Sequence, residues 1–254
     1  MNNFNLIHGD FLDKAKDIES ESVDMILADL PYGTTNCKWD SIIPFPELWE
    51  NLERIIKPNG AMVFFASQPF TSALVMSNPK LFRYSWVWNK NKGTGHLNAK
   101  RMPMKYHEDI LVFYKKPCLY NPQLTYDHKP MNTATNKQNN INGNHGSVKT
   151  EGGKTSRQPR SVIDFKVVNN DGTSDDGRFH PSQKPLDMLQ YIINTYTNEN
   201  DVVFDPTMGS GSTGLACVMT NRKFIGIEKE QEYFDIANSR IQKELKLESL
   251  FEKG

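Results

Sequence analysis

Cysteine is scarce in this chain, and metal-binding spacing is missing altogether. Cys37, Cys118 and Cys217 stand far apart in 254 residues, an odd and scattered set that suits a reducing compartment better than a disulfide framework. No CxxC pair occurs and the six histidines fall in no zinc or metalloprotease spacing, so no metal site is predicted. No run approaches the roughly 18 apolar residues of a membrane span. Met1-Asn2-Asn3-Phe4 has neither the basic nor the apolar region of a signal peptide. The expectation is a cytoplasmic protein with no membrane partner. No internal repeat is visible.

Net charge is lacking too, but only as a sum. Lys and Arg number 30 against 30 Asp and Glu. Between Arg83 and Arg160, however, 14 basic residues face 4 acidic ones, which leaves 16 against 26 elsewhere. The middle third is therefore +10 and the remainder −10. Such a segment can hold a phosphate backbone.

What is present reads as an α/β domain. Hydrophobic residues make up 37% of the chain and charged ones 24%, enough to build one large core. Phe4-Asn5-Leu6-Ile7 and Val23 to Ala28 are short apolar runs that predict buried strands. An acid closes each: Asp10 follows His8-Gly9, and Asp29 follows directly. In open α/β sheets, ligands bind at that carboxyl edge. Leu48, Trp49, Leu52, Ile55 and Ile56 give Pro46 to Lys57 a helical stripe, stopped by Lys57-Pro58-Asn59-Gly60, and Ala61 to Ala66 predicts the next strand. Strand, helix, strand implies βαβ units around a mostly parallel sheet.

Tyr84 to Trp88 and Ile110 to Tyr114 predict two further strands. From about Cys118 to Phe179 the chain turns to Asn, Gly, Thr, Ser and Lys, with only Ser161 to Val168 strand-like. Residues 118–178 are therefore read as an insertion in a single domain spanning 1–254. Order returns with a helix from Pro185 to Tyr196, a strand at Val202-Val203-Phe204, a helix from Ser212 to Thr220, a strand from Lys223 to Ile227, and a closing helix from Gln231 to about Leu247.

Two constellations carry chemistry. In the first, Asp205-Pro206-Thr207-Met208-Gly209-Ser210-Gly211-Ser212-Thr213-Gly214 sets a glycine cluster between a strand and a helix, where backbone amides can approach a ligand. Glu228 ends the following strand and can accept both hydroxyls of a ribose. Read literally, GxGxxG is a dinucleotide motif, which would make the chain a nicotinamide oxidoreductase. An acid at Asp205 would repel a pyrophosphate, whereas a cofactor bearing positive charge would be welcome there. In the second, Asp29-Leu30-Pro31-Tyr32 follows a buried strand. An amino nitrogen attached to an aromatic ring shares its lone pair with the ring until acceptors take its N–H groups. Asp29 and the Leu30 carbonyl can do so, with bonds that strengthen as the nitrogen becomes tetrahedral. Pro31 fixes the bend, and Tyr32 offers a ring face on which a planar aromatic ligand can stack.

These two segments resemble the motifs of DNA amino-methyltransferases of bacterial and phage type: Phe204 to Gly211 is similar to the cofactor motif, and Asp29-Leu30-Pro31-Tyr32 to the Asp-Pro-Pro-Tyr signature. The resemblance implies a Rossmann-like methyltransferase fold, S-adenosylmethionine as cofactor, and methylation of adenine N6 in double-stranded DNA, with cytosine N4 as the alternative base. Phe179-His180-Pro181-Ser182-Gln183-Lys184-Pro185 is similar to the segment beside the methionine moiety. Asp10, Lys184, Asp205, Pro206, Gly209, Gly211, Thr213 and Glu228 are thereby implied as cofactor residues, and Asp29, Leu30, Pro31 and Tyr32 as catalytic ones. Family members with Asp first in the signature are associated with adenine, those with Ser with cytosine. Leu30 departs from the family's proline but keeps the carbonyl.

Motif order, with the insertion between the two motifs, resembles the β group, in which the insertion reads the target sequence. Lys90, Lys92, Lys100, Arg101, Lys105 and His107, interleaved with Trp88 and Tyr106, are expected to face DNA. Trp88-Asn89-Lys90 and His107 to Phe113 also resemble segments on the target-base side. Pro117-Cys118 matches the dipeptide of cytosine C5 enzymes, but lies at the start of the insertion, and the C5 mechanism is rejected. A homodimer and a companion restriction endonuclease fit the resemblance. A DNA-binding module without activity, and a methyltransferase acting on RNA or on a protein amide, stand as rivals.

Overall fold

A computed structural model of the chain describes residues 3–34, 40–136, 148–168 and 183–251. Cys37, residues 179–182 of the segment before Lys184, and positions 137–147 and 169–178 of the predicted insertion lie outside them. Contacts divide the chain into two compact units, one of residues 1–121 with 161–254 and the other of residues 122–160.

The larger unit is built on an eight-stranded sheet. In chain order it comprises β1 (Phe4–His8), α1 (Phe11–Lys14), β2 (Val23–Ala28), α2 (Phe45–Ile55), β3 (Ile56–Ala66), α3 (Phe70–Ser77), β4 (Phe82–Thr94) and β5 (Lys105–Phe113). The smaller unit adds the antiparallel pair β6 (Ala134–Asn136) and β7 (Val148–Thr150). The chain then returns to the first unit with β8 (Val162–Phe165), α4 (Leu186–Tyr196), β9 (Val202–Asp205), α5 (Ser212–Val218), β10 (Lys223–Glu228) and α6 (Gln231–Phe251).

The strand order is β1-β10-β9-β2-β3-β5-β4-β8. The first five strands are mutually parallel, whereas β5 runs antiparallel to both β3 and β4. Consequently the carboxyl ends of β1, β2, β3, β9 and β10 share one edge, and β5 starts at that same edge.

Side-chain alternation buries both faces of the sheet. On β3, Ala61, Val63 and Phe65 join the core layer under α4, α5 and α6, while Met62, Phe64 and Ala66 join the layer under α1, α2 and α3. Phe64 and Phe65 are both fully buried, each contributing roughly 1.5–3 kcal/mol. On α2 the stripe Leu48, Trp49, Leu52 and Ile55 is the buried face.

The strands predicted from the sequence all form, with two differences. Residues 57–60 do not merely stop α2. The chain becomes extended at Ile56, which pairs with Val23, and β3 runs on through Pro58 to Ala66 with a register shift against β2. The Lys57 ammonium, 2.7 Å from the Asp24 carboxylate, holds this early part of the strand. The second difference is β4, which extends six residues beyond Trp88, paired with β5 as far as Thr94 and Lys105.

Candidate active site

At the carboxyl edge of the sheet lies a cavity of about 710 Å³. One part of its wall comes from the ends of β1, β9 and β10. Asp205, the last residue of β9, is 3% exposed. Its Oδ2 accepts the Thr213 hydroxyl at 2.7 Å and its Oδ1 the Thr207 N–H at 3.0 Å. Burial outweighs those bonds and pushes its pKa up to about 7. Glu228, at the end of β10, accepts the Gly209 N–H at 2.8 Å through Oε2 and the Glu230 N–H at 2.8 Å through Oε1. Burial raises its pKa as well. The glycine turn is thus bonded to the acid that closes the next strand. Gly209 adopts the left-handed region, φ +52, and lines the cavity with Pro206. Asp10 caps α1, accepting the Leu12 N–H at 2.9 Å, and its other oxygen lies 3.1 Å from Lys229.

Gly211 does not line the cavity. It precedes α5 with φ +80, and a Cβ there would lie 2.7 Å from the Ala237 Cβ. This glycine lets the turn pack against α6, while its neighbours Ser210 and Ser212 line the cavity.

The second part of the wall follows β2. The Asp29 carboxylate is held from both sides: the Tyr32 hydroxyl donates to Oδ1 at 2.7 Å, and the Lys184 ammonium to Oδ2 at 2.6 Å. Lys184, just before α4, also lies 3.4 Å from Glu108 Oε2, and Glu108 Oε1 accepts the Lys90 ammonium. The result is a row of alternating charge, Asp29, Lys184, Glu108, Lys90, in which the lysines are buried and the acids partly so. Burial raises the Asp29 pKa and Lys184 opposes it. For Lys184, burial works against the ammonium, but Asp29 and Glu108 outweigh it and raise its pKa. Glu108 is the converse, since burial would raise it and the two lysines pull it down.

The tetrapeptide is also anchored from behind. Leu30 is buried among apolar residues of the α1 and α2 side. The Asp40 carboxylate accepts the backbone N–H groups of Tyr32 at 2.7 Å and Gly33 at 2.9 Å through Oδ1, and of Thr34 at 2.9 Å through Oδ2. The Tyr32 ring stacks on Phe70, centroids 4.9 Å apart. Pro31 lines the cavity between these anchors.

The expected DNA-facing residues separate. Lys92, Lys100, Arg101 and His107 are exposed, and Lys105 is half-buried on the cavity wall, where burial lowers its pKa. Lys90 is a correction. It is only 7% exposed, paired with Glu108 and 5.1 Å from the Trp88 ring centre, so it faces the interior. Its position was available from strand periodicity: Trp86, Trp88 and Lys90 alternate onto one face, and Glu108 pairs opposite Trp88. Asp40 gave no such signal, because its partners are backbone amides six to eight residues away.

The family of N6/N4 DNA methylases matches residues 23–239. The type II methyltransferase M.HpaI of Haemophilus parainfluenzae is 27% identical over 252 residues, covering 94% of this chain and 74% of that protein. The DNA adenine methyltransferase YhdJ of Escherichia coli (strain K12) is 29% identical over 251 residues, covering 93% and 82%. The crystal structure of the M1.HpyAVI–SAM complex superposes with a TM-score of 0.63 at 28% identity, covering 94% of this chain and 98% of that one. A nicotinamide oxidoreductase finds no support here.

Proposed function

The chain belongs to the N6/N4 DNA methylase family, and from that premise we propose that it methylates the N6 amino group of adenine in double-stranded DNA. S-adenosylmethionine is the family's cofactor, and the residues fit it. A buried carboxyl raised to about 7 at Asp205 is an acid without a cation, and a sulfonium ligand supplies one. Asp205, Pro206, Gly209, Thr213 and Asp10 would hold the cofactor and Glu228 its ribose. The cofactor supplies an electrophilic methyl group.

The observation that carries the reading is the Asp29 carboxylate, 2.6 Å from the Lys184 ammonium on the wall of the same cavity. Each carboxylate oxygen has two lone pairs, so Asp29 can accept an N6–H while keeping Tyr32 and Lys184. With the Leu30 carbonyl taking the second N–H, the nitrogen lone pair is freed from the ring and positive charge developing on it is stabilised by Asp29. Lys184 belongs to this machinery rather than to the cofactor. Tyr32, backed by Phe70, offers its other ring face to the flipped base.

Asp at position 29 favours adenine over cytosine, as does the likeness to an enzyme named for adenine. Residues 118–178, which contain the unit 122–160, carry sequence reading. Relatives named as type II methyltransferases favour a place in restriction–modification, in the cytoplasm. Among the described residues, no helix is long and apolar enough to cross a membrane.

Purified protein incubated with methyl-labelled cofactor and unmodified DNA, followed by digestion to nucleosides, tests this. Label in N6-methyldeoxyadenosine is expected. Label in N4-methyldeoxycytidine, in RNA alone, or nowhere would overturn it.

A further inference from the structure

Flipping a base leaves a gap in the duplex stack, and the hairpin joining β4 to β5 carries a residue suited to fill it. Leu97 is 90% exposed, the highest value among the large apolar side chains described as exposed. A single exposed leucine means little by itself, but three features of its setting give this one meaning.

First, the tip is held rather than loose. Gly95 turns the chain with φ +88, and Asn98 and Ala99 donate backbone N–H groups to the carbonyls of Gly95 and His96 at 2.9 and 3.2 Å. Arg101 and Met102 both donate to Asn98, at 2.8 and 3.0 Å. Below the tip, the Tyr106 ring lies directly over Gly93, bracing the two strands. A side chain presented on such a tip keeps its direction when pressed into a partner.

Second, the surroundings are of one sign. From Lys90 to His107 there is no Asp or Glu, and Lys92 at the end of β4 and Lys100 and Arg101 on the loop are exposed. Cations flanking an apolar tip complement a duplex, whose phosphates border an apolar base stack. Third, the stem of the hairpin is part of the cavity. Thr94 and Lys105, its last ladder pair, both line it. Leu97 stands three residues from Thr94, which bounds their separation at about 10 Å.

We propose that Leu97 is a wedge that enters the DNA duplex at the position vacated by the target base, keeping that base in the cavity. A leucine has no hydrogen-bonding group, so the wedge stabilises the open duplex without reading sequence. The proposal rests on the reading that the chain methylates a flipped base.

The test compares wild type with Leu97→Ala and Leu97→Phe on two duplexes: one with the target base normally paired, the other with an abasic site opposite it. On the paired duplex kcat/KM of Leu97→Ala is expected to fall about tenfold or more, since unstacking is no longer offset. On the abasic duplex it should remain within about twofold of wild type, the base being already free to leave the stack. With 2-aminopurine as the target base, fluorescence gain on binding should drop in parallel. Leu97→Phe, still apolar, should retain activity on both. Equal loss on both duplexes, or no loss on either, overturns the wedge. Cofactor affinity, unchanged in both variants, reports intact folding. A wild type that methylates neither duplex overturns the function instead, so the two failures are distinct.

Discussion

Lys184 decides what Asp29 can do. Burial favours the neutral acid and the ammonium at 2.6 Å opposes it, with Glu108, Tyr32 and the more distant Asp205 also facing the carboxyl. Replacing Lys184 with Met should therefore push the Asp29 pKa further up and move the acidic limb of the kcat profile to higher pH. Activity at neutral pH should fall about a hundredfold, and breaking the buried pair should destabilise the fold by roughly 3–5 kcal/mol. Cofactor affinity should be spared. A fixed pH profile with weakened cofactor binding would return Lys184 to the role its sequence neighbourhood implied.

Asp205 makes a second prediction at this scale. Its folded pKa of about 7 lies above the roughly 3.9 of an unfolded aspartate. Its contribution to stability is thus present in full below the unfolded value and is lost as pH rises through 7. A sulfonium remains cationic over this range and prefers the carboxylate. Calorimetry should show cofactor affinity tightening about tenfold from pH 6 to 8, with a larger thermal shift at the higher pH. Asp205→Asn should bind weakly and without that pH dependence. A flat profile for wild type would contradict a direct Asp205–cofactor interaction.

At the scale of elements, the loop after β2 has Leu30 before Pro31, and Asp40 holds it from the other side by accepting three backbone N–H groups. Asp40→Asn keeps an oxygen for Tyr32 and Gly33, whereas Asp40→Ala keeps none. Stopped-flow or steady-state assays should then rank kcat as wild type, Asn, Ala, the last down by roughly 10- to 100-fold, with little change in cofactor affinity. Equal kcat in all three would remove Asp40 from the site.

Elements whose residues bury themselves through local periodicity, such as α2 with its Leu48, Trp49, Leu52 and Ile55 stripe, were legible in the sequence. The start of β3 was not, because its pairing with Val23 and the Lys57–Asp24 ion pair are properties of the assembled sheet. The antiparallel insertion of β5 between β3 and β4 was equally hidden, and with it the meeting of Glu108 with Lys184.

For the whole molecule, the sheet explains why residues from 10 to 228 converge. Five parallel strands end at one edge and the antiparallel β5 begins there, so Asp10, Asp29, Asp205, Glu228 and Glu108 meet around a single cavity. Motifs in the sequence named most of these residues, but only the fold shows that Lys184 reaches Asp29, that Gly211 lies close against Ala237, and that Lys90 is interior. The charge asymmetry of the chain survives in the exposed Lys92, Lys100 and Arg101 of the β4–β5 hairpin.

On the function proposed above, Asp29 on the wall of this cavity directs methylation to adenine N6. Single-molecule sequencing of DNA from a host without its own adenine methylation, expressing either the wild type or Asp29→Ala, tests it most directly. Wild type should leave N6-methyladenine in one sequence context, and Asp29→Ala should leave none while still binding cofactor. N4-methylcytosine in the wild-type sample, or a mark that persists in Asp29→Ala, would contradict it.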